Sequence, residues 1–303
     1  MRHVFIINPT AGKGKKQPLL IEQINSTAQK LKIDYKIYIT KKPFEATEIA
    51  KRESETGDHV RFYACGGDGT VNEVANGCYR YSNTEMTAVP CGTGNDFIKN
   101  FGSYDDFIDI KAQINGEPTK VDLIDINNTI CINSCSVGID AVVASNVGKF
   151  KKLPIINGNI GYTLSLLYCF FTKINNKLEF VFDNDEMIKG TFLLALVANG
   201  RFYGGGYDGA PKAIVDDGLL DVIIVKSVSR FKILKLLSLY KAGRHLEDPS
   251  FKDIIIYRRE KSILIKWDKL NPVNIDGECI DTDKMDIKII KDAFNFSVPK
   301  KLG

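Results

Sequence analysis

Short runs of apolar, β-prone residues alternate with helical patterns through roughly the first third of the chain. The period-two and buried-strand patterns predict strands at Arg2–Asn8, Asp34–Ile39, His59–Cys65 and Thr84–Pro90. Helical spacing predicts helices at Lys16–Leu31, from Pro43 to Glu53, from Thr70 onward and at Tyr104–Asn115. Strands that alternate with helices predict a doubly wound α/β domain with a mostly parallel sheet, covered on both faces.

The pattern changes after this segment, and strands dominate from Thr119 onward. The predicted strands are Val121–Ile126, Thr129–Val137, Lys177–Phe182, Gly190–Ala198, Leu219–Val225, Ser262–Lys266 and Met285–Ile290. Turn-forming pairs separate several of them, at Asn127-Asn128, Asp183-Asn184 and Asp217-Gly218. We therefore predict an α/β domain over residues 1–126 and a second, β-rich domain over residues 127–290.

Composition limits the function classes. A chain of 303 residues suggests about two domains, and its seven scattered cysteines are typical of reduced thiols in a cytoplasm. The most apolar helical stretch, Tyr162–Phe171, is shorter than the roughly 20 residues that span a bilayer. A net charge of +4 without a basic, aromatic-interleaved block disfavours nucleic acid as a partner. We expect a cytoplasmic protein, and its mild positive excess would help it to visit anionic membrane surfaces as a peripheral protein.

The most informative segment follows the predicted strand His59–Cys65. Gly66-Gly67-Asp68-Gly69 connects this strand to the helical pattern that Thr70 opens. Glycines let backbone N–H groups approach a phosphate closely, and a helix N-terminus adds partial positive charge. A carboxylate in such a loop is expected where Mg²⁺ accompanies the phosphates. The loop predicts a nucleoside triphosphate site, although a glycine turn that merely links strand and helix gives the same pattern.

A second glycine loop follows the next predicted strand, Thr84–Pro90. It runs from Cys91 to Phe97 and contains two glycines, the hydroxyl of Thr93 and the carboxylate of Asp96. Loops after the carboxyl ends of strands in a doubly wound sheet converge on one crevice. The two loops together favour a binding site over two ordinary turns.

Five motifs, in this order and spacing, resemble the diacylglycerol kinase catalytic family, in particular its soluble bacterial branch of diacylglycerol and other lipid kinases. They are Asn8–Gly12, Gly66–Thr70, Gly92–Phe97, Asn199–Gly206 and Ile275–Glu278. The resemblance covers nearly the whole chain. It implies that the second domain is a β-sandwich and that residues 291–303 return to the first domain.

The resemblance also implies a nucleotide site with Mg²⁺ and ATP. The implied nucleotide-binding residues are Asn8, Pro9, Thr10, Ala11, Gly12, Thr40, Gly66, Gly67, Asp68, Gly69, Thr70, Val71, Asn72 and Thr93. Asp68 and Asp96 are implied to act in catalysis by orienting waters around the catalytic Mg²⁺.

The remaining implied residues lie in the second domain. The residues alone favour an exposed glutamate after an Asp-Gly hairpin turn, whereas the resemblance aligns Glu278 with the general base of the family. Asp217, with the backbone oxygens of Ile214 and Leu219 and the help of Asp216, is implied to hold a second Mg²⁺. The alternative for Asp217 is an ordinary Asp-Gly turn.

We interpret the chain as an ATP-dependent, Mg²⁺-requiring lipid kinase, with conversion of diacylglycerol to phosphatidic acid as the leading reaction. One alternative is an NAD kinase, a phosphofructokinase or another small-molecule kinase with a Gly-Gly-Asp-Gly site, against which Asn8-Pro9-Thr10 and Gly92–Phe97 argue. A non-catalytic nucleotide- or lipid-sensing protein is the other, and Glu278 argues against it.

The expected partner is a lipid alcohol at the inner membrane surface. Two segments have the composition to dock there, Leu153–Phe171 and the basic amphipathic Phe231–His245. Packing on the protein's own sheet is the ordinary interpretation of both. The sequence leaves the oligomeric state open, with a homodimer among the expected assemblies.

Overall fold

The chain forms two compact units. The computed structural model describes residues 1–14, 17–92, 94–139, 141–142 and 175–300. One unit comprises Met1–Leu123 with Lys291–Gly303, and the other comprises Ile124–Ile290. The first is an α/β unit and the second is rich in β-strands, which confirms the predicted fold class.

The first unit is built around parallel strands. These strands are β1 (Arg2–Ile7), β2 (Tyr35–Ile39), β3 (Val60–Gly66) and β4 (Thr84–Pro90), and β5 (Glu117–Ile126) continues past Leu123 into the second unit. The helices are α1 (Gln17–Leu31), α2 (Glu45–Ser54), α3 (Asp68–Cys78), α4 (Tyr104–Ile108) and α5 (Ile110–Ile114), with 3₁₀ turns at Ala11–Gly14 and Phe97–Asn100.

The order of these strands creates a crevice. The parallel sheet runs β2-β1-β3-β4, so the chain moves outward from β1 to β2 and then crosses back to β3. The connections after β1 and β3 therefore diverge to opposite sides. A crevice opens at the carboxyl ends of these two strands, where ligands bind in doubly wound sheets.

Strands β1, β3 and β4 of this unit are buried on both faces because helices cover both sides of the sheet, whereas β2 at its edge has no fully buried residue. All seven residues of β3 and all seven of β4 are buried, and the two charged residues among them, Arg61 and Glu85, form an ion pair at 2.9 Å. The returning C-terminal segment joins the same sheet, where Phe296 pairs with Met86 of β4 and its ring packs among Phe97, Phe101 and Phe107.

One predicted helix of this unit is wrong in its extent. The pattern predicts a single helix over Tyr104–Asn115, but the structure divides it into α4 and α5 at Asp109. Asp109 has an extended backbone, and its side chain accepts hydrogen bonds from the amides of Lys111 and Ala112. A capping aspartate thus competes with continuation of the helix.

The second unit is mostly antiparallel. Its strands are β6 (Thr129–Cys131), β7 (Ser134–Gly138), β8 (Asn176–Phe182), β9 (Met187–Ala198), β10 (Phe202–Tyr203), β11 (Tyr207–Asp208), β12 (Leu220–Lys226), β13 (Ile255–Glu260), β14 (Ser262–Ile275) and β15 (Glu278–Val298). It also contains α6 (Arg230–Lys241) and 3₁₀ turns at Arg244–Leu246 and Pro249–Phe251. The strand order is β13-β12-β9-β7-β14-β15, β8 pairs with both β9 and β14, and β15 ends in the first unit.

Strand β9 separates two hydrophobic cores in this unit. Ala195 and Val197 point into a core that contains Trp267, whereas Leu194 and Leu196 point into the core beneath α6. Because successive side chains of a strand point to opposite faces, burial on both sides requires an unbroken apolar run.

Several strand predictions of the second unit need correction. Thr129–Val137 is two strands, β6 and β7, and β14 and β15 are much longer than predicted. Strand β13 escapes prediction because its sequence, IIYRRE, carries three charged residues at the sheet edge. Asp217-Gly218 is a turn but not a hairpin, since the following strand β12 pairs with β9 and β13.

A buried histidine makes the stability of the first unit sensitive to acid. Nδ1 of His3 lies 2.7 Å from the hydroxyl of Tyr63, and the ring is buried. Burial and the nearby Arg61 lower the pKa of His3 from 6.5 to about 4. Between pH 6.5 and 4 the imidazole of His3 therefore binds a proton in the unfolded chain but not in the folded chain. The free energy of unfolding falls as pH drops through this range.

We expect His3→Asn to remove most of this acid sensitivity, because the asparagine oxygen can still accept a hydrogen bond from Tyr63 but does not titrate. Between pH 7 and 5 the wild type should lose about 2 kcal/mol more unfolding free energy than the variant. Urea unfolding at both pH values measures the difference, and other titrating groups cancel because both proteins share them. Equal losses in the two proteins would show that His3 is not the responsible group.

Candidate active site

The loop after β1 is fixed to the beginning of α3. The amide of Asn8 donates to the carbonyl of Cys65 at 2.9 Å, which holds it beside the end of β3. Its side-chain Nδ2 donates to Thr70 Oγ1 at 3.2 Å. The predicted Asn8 and Gly66–Thr70 segments therefore lie together at the β1/β3 crevice.

Asn8 and Gly12 also shape this first loop. Oδ1 of Asn8 accepts hydrogen bonds from the amide and hydroxyl of Thr10, at 3.0 and 2.8 Å. Gly12 has a φ of +59°, and a Cβ there would lie 2.4 Å from the carbonyl oxygen of Cys91. Only glycine fits this position, because the loop after β1 touches the backbone of the loop after β4.

The two glycine loops contact each other through their backbones. The carbonyl of Gly66 accepts hydrogen bonds from the amides of Cys91 and Gly92, at 2.8 and 3.2 Å. A Cβ on Gly92 would lie 2.9 Å from Cα of Gly67. The glycines of these loops thus allow a close backbone approach that side chains would prevent.

Helix α3 begins inside this arrangement. Its N-cap residue, Gly67, has an extended backbone and provides no side-chain cap, so the first-turn amides are directed at the loop region. The helix starts at Asp68, two residues earlier than predicted, which places a carboxylate in the first turn, where it complements the helix dipole. An uncapped helix N-terminus between glycine loops can receive a phosphate group.

Asp68 joins the two loops. Its Oδ1 accepts hydrogen bonds from the amides of Asp96 and Phe97, at 2.7 and 3.3 Å. Asp96 is itself buried, and its Oδ1 lies 2.5 Å from the ammonium of Lys99. Sequence reasoning does not single out Lys99, although its position three residues after Asp96 is a readable signal.

The other oxygens of the two aspartates border one small space. A Cβ on Gly94 would lie 2.8 Å from Oδ2 of Asp68 and 3.9 Å from Oδ2 of Asp96, so glycine keeps this space open. Within the described ranges, no group of three His, Cys, Asp or Glu side chains is spaced to hold a metal. Two carboxylates fit Mg²⁺, which is commonly held by one or two carboxylates, waters and substrate phosphates.

Two further predicted residues of the first unit, Thr40 and Thr93, differ in what the structure describes. Thr40 follows β2, and its amide donates to the carbonyl of Ile7 at 3.0 Å, which places it beside the end of β1. Thr93 lies outside the described residues.

Glu278 lies in the second unit, directly after a tight turn. Asp276 and Gly277 have φ values of 47° and 93°, and Ile275 pairs with Glu278 across the β14–β15 hairpin. Two positive φ values are typical of the type I′ turn. The glutamate is the first residue of β15 and is exposed.

Asp276 holds this hairpin to the break between β6 and β7. Its carboxylate accepts hydrogen bonds from three successive backbone amides, those of Ile132, Asn133 and Ser134, at 2.7, 3.0 and 3.1 Å. Burial and the nearby charge of Asp276 raise the pKa of Cys131. The sequence indicates only a turn residue here, because the partners lie more than 140 positions away.

Asp217 binds an arginine. Arg259 of β13 forms an ion pair with Oδ2 of Asp217, and the amide of Leu219 donates to Oδ1 at 3.0 Å. Ile214 is exposed. A cation already neutralises Asp217, so a metal on this carboxylate would have to displace or share it with Arg259.

The protein combines an α/β unit, whose crevice is suited to phosphate groups, with a β-rich unit. Comparisons with known proteins name the family. Residues 2–126 match the model of the diacylglycerol kinase catalytic domain, and residues 133–296 match the YegS C-terminal NAD kinase beta sandwich-like domain. The chain belongs to the diacylglycerol kinase catalytic family of diacylglycerol and other lipid kinases.

Individual relatives agree with this assignment. A diacylglycerol kinase of Staphylococcus epidermidis is 30% identical, over 90% of this chain and 84% of its own length. A Bacillus subtilis relative, YtlR, which is named as a lipid kinase without a stated lipid, is 27% identical over 92% and 93% of the two chains. A crystal structure of a Bacillus anthracis diacylglycerol kinase has a TM-score of 0.75 at 24% identity, covers 99% and 97% of the chains, and supports the fold.

The two segments suited to membrane docking differ in what the structure provides. Leu153–Phe171 falls outside the described residues, whereas Phe231–His245 contains α6 and the 3₁₀ turn after it. Across the described ranges, none of the helices combines the length and apolar character needed to cross a bilayer.

We expect substitutions of Asp68 to separate its charge from its hydrogen bonds. Asp68→Asn keeps an oxygen for the amides of Asp96 and Phe97 and should unfold near the wild-type temperature. Asp68→Ala loses both bonds and should be about 1–3 kcal/mol less stable. Both should lose about 100-fold or more of lipid phosphorylation, because each lacks the carboxylate charge.

Thermal unfolding and turnover of lipid hydroxyls, measured on the same preparations, check this expectation. Lys99→Gln is a comparison variant, because it removes the ion pair of Asp96 while the charge and hydrogen bonds of Asp68 remain. Wild-type turnover in Asp68→Asn would contradict a catalytic role for the charge.

Proposed function

We propose that this protein transfers the γ-phosphate of ATP to the hydroxyl of diacylglycerol and forms phosphatidic acid. The observation that carries the proposal is the junction of two glycine loops around Asp68 at the N-terminus of α3. Membership of a lipid kinase family supports a lipid hydroxyl as the acceptor. The names of several relatives support diacylglycerol as the particular lipid acceptor.

The triphosphate would lie along the crevice after β1 and β3. The backbone of Gly66–Thr70 and the first turn of α3 offer N–H groups, and Asn8–Gly12 forms the opposite wall. Thr40, Val71, Asn72 and Thr93 complete the proposed nucleotide contacts. The glycine positions support this placement, because a Cβ at Gly12 or Gly92 would collide with the backbone of a neighbouring loop, and one at Gly66 would collide with the side chain of Thr70.

Asp68 and Asp96 are the residues that would hold Mg²⁺, through their outer oxygens and waters beside Gly94. The metal would neutralise charge on the transferring phosphoryl group. Both aspartates are held firmly, Asp68 by two backbone amides and Asp96 by Lys99. This support keeps their positions fixed when a substrate binds.

The transfer itself requires a proton acceptor. The lipid hydroxyl oxygen forms a bond to the γ-phosphorus, the bond from that phosphorus to the β,γ-bridging oxygen breaks, and ADP leaves with the electron pair. We assign the hydroxyl proton to the carboxylate of Glu278. The type I′ turn and the three hydrogen bonds that the Asp276 carboxylate accepts from backbone amides fix the backbone immediately before Glu278. The side chain of Glu278 remains exposed.

We expect wild-type protein to phosphorylate diacylglycerol in mixed micelles with labelled ATP. A panel of other lipid alcohols, with NAD as a separate acceptor, tests the acceptor, because the second-domain family match is described as NAD kinase-like. Glu278→Gln should reduce kcat by about 10²–10⁴, since the amide keeps the shape and loses the basicity.

Calorimetry of ATP binding is the control for Glu278→Gln. The ATP affinity and the melting temperature of this variant should stay near those of the wild type. Phosphorylation of NAD in place of every lipid would overturn the acceptor. Normal turnover in the variant would place the base elsewhere. A wild type that binds ATP but phosphorylates no acceptor would favour a sensing protein.

Asp217, with the backbone oxygens of Ile214 and Leu219, is our proposed site for a second Mg²⁺ that fixes the segment before β12. In the absence of nucleotide, Mg²⁺ should raise the melting temperature of the wild type but not of Asp217→Ala, because a ligand stabilises only the state that binds it.

Sodium chloride at matched ionic strength controls for screening of the Asp217–Arg259 ion pair. Asp68→Asn should retain the shift, since the first-unit aspartate is not involved. Equal Mg²⁺ shifts in wild type and Asp217→Ala would leave Arg259 as the only cation on this carboxylate.

A further inference from the structure

Helix α6 has two apolar faces, although it needs only one to pack on its own unit. Leu236 is buried, and Ile233, Leu237 and Tyr240 pack against the same core. On the opposite face Phe231 is 82% exposed and Leu234 is 50% exposed. A helix that only covers its own sheet would carry polar residues on that face.

The same segment concentrates positive charge. Residues 230–245 contain five Lys or Arg and no Asp or Glu, for a net charge of +5. The whole chain has a net charge of +4, so all other residues together sum to −1. The positive excess of the protein therefore lies entirely in this helix and the turn that follows it.

The position of these charges is unfavourable for the helix itself. Arg230 and Lys232 lie in its first turn, which contains no acidic residue, and cations there oppose the helix dipole. Lys232 and Lys235 are exposed and enter none of the ion pairs found within the described ranges. Neither the helix dipole nor an ion pair within the described ranges accounts for Lys232 and Lys235, whereas an external anionic partner does.

We propose that the outer face of α6 docks on an anionic membrane surface. Phe231 and Leu234 insert among the acyl chains near the headgroups, and Lys232, Lys235 and Lys241 contact lipid phosphates. Lysine stems can lie along apolar surface while their charged ends reach the phosphates. An exposed aromatic and a leucine flanked by lysines on one helix face are typical of interfacial helices.

A membrane fits this face better than a protein partner, because the exposed Lys232 and Lys235 beside the exposed Phe231 favour a surface of repeated negative charge. The proposal rests on the proposed function, since a kinase for diacylglycerol must reach a substrate held in a bilayer. It goes further by naming the docking surface and the lipid charge that this surface requires.

Co-sedimentation with vesicles tests the surface without catalysis. Wild type should bind phosphatidylcholine–phosphatidylglycerol vesicles, bind them less as salt rises, and bind pure phosphatidylcholine weakly. Replacing Lys232 and Lys235 together by Gln should weaken vesicle binding about 25-fold, because each lysine near an anionic surface contributes roughly fivefold to the affinity. The double change Phe231→Ser and Leu234→Ser should weaken binding at least as much.

Matched controls come from elsewhere in the chain. Lys30→Gln with Lys51→Gln removes two exposed lysines of α1 and α2, and Met187→Ser removes a side chain that is 60% exposed at the start of β9. These variants should bind vesicles like wild type, apart from a small effect of net charge. Binding losses equal to those of the α6 variants would overturn the proposal.

Activity separates this proposal from the proposed function. With a short-chain, water-soluble diacylglycerol, the α6 variants should keep the wild-type kcat, whereas their rate on diacylglycerol in anionic vesicles should fall with their binding. The wild type could bind vesicles and phosphorylate no diacylglycerol, while the α6 variants lose vesicle binding. In that case the proposed substrate is wrong and the docking surface stands. If the α6 variants bind vesicles normally and instead change the mass of the protein in solution, the face is a self-association surface and the docking proposal fails.

Discussion

The candidate active site depends on one carboxylate that holds two backbone loops together. Oδ1 of Asp68 accepts the amides of Asp96 and Phe97, while the carbonyl of Gly66 accepts two amides from the second loop. Glycines make this approach sterically feasible and leave the loops without side chains to anchor them. The aspartate supplies that anchor. The same carboxyl group serves the geometry of the loops and, in the proposed mechanism, would offer its other oxygen to Mg²⁺, which would explain an acidic residue in a loop suited to anions.

The second unit uses a related arrangement. Asp276 receives the amides of Ile132, Asn133 and Ser134 and thereby joins a tight turn to the break between β6 and β7. Charge-assisted bonds to backbone amides are stronger than neutral ones, so three of them restrain this turn well. Glu278 lies directly beyond it. In both units an aspartate next to glycine holds the backbone on which the proposed chemistry depends.

The two proposed roles place opposite demands on the crevice of the first unit and on the outer face of α6. The crevice must be fixed, because a phosphate is held by amides whose positions cannot vary widely. The outer face of α6 needs no such fixed partner, since a membrane surface offers many equivalent phosphates. Its signature is accordingly one of composition, with exposed Phe231 and Leu234 among lysines, rather than one of defined hydrogen bonds.

The sequence by itself determined the features that depend on local conformation: the alternation of strands and helices in the first unit, the glycine loops after β3 and β4, and the Asp276-Gly277 turn. Each of these features depends on the φ preferences and the hydrophobic periodicity of a few adjacent residues. The division of Tyr104–Asn115 follows from local capping by Asp109, whereas only the tertiary structure decided two other features, the break before β7 and the contact of Asp217 with Arg259. The last two depend on partners far away in the chain. Local patterns carry no information about such partners, because a side chain's hydrogen bond is chosen by the groups that folding brings beside it.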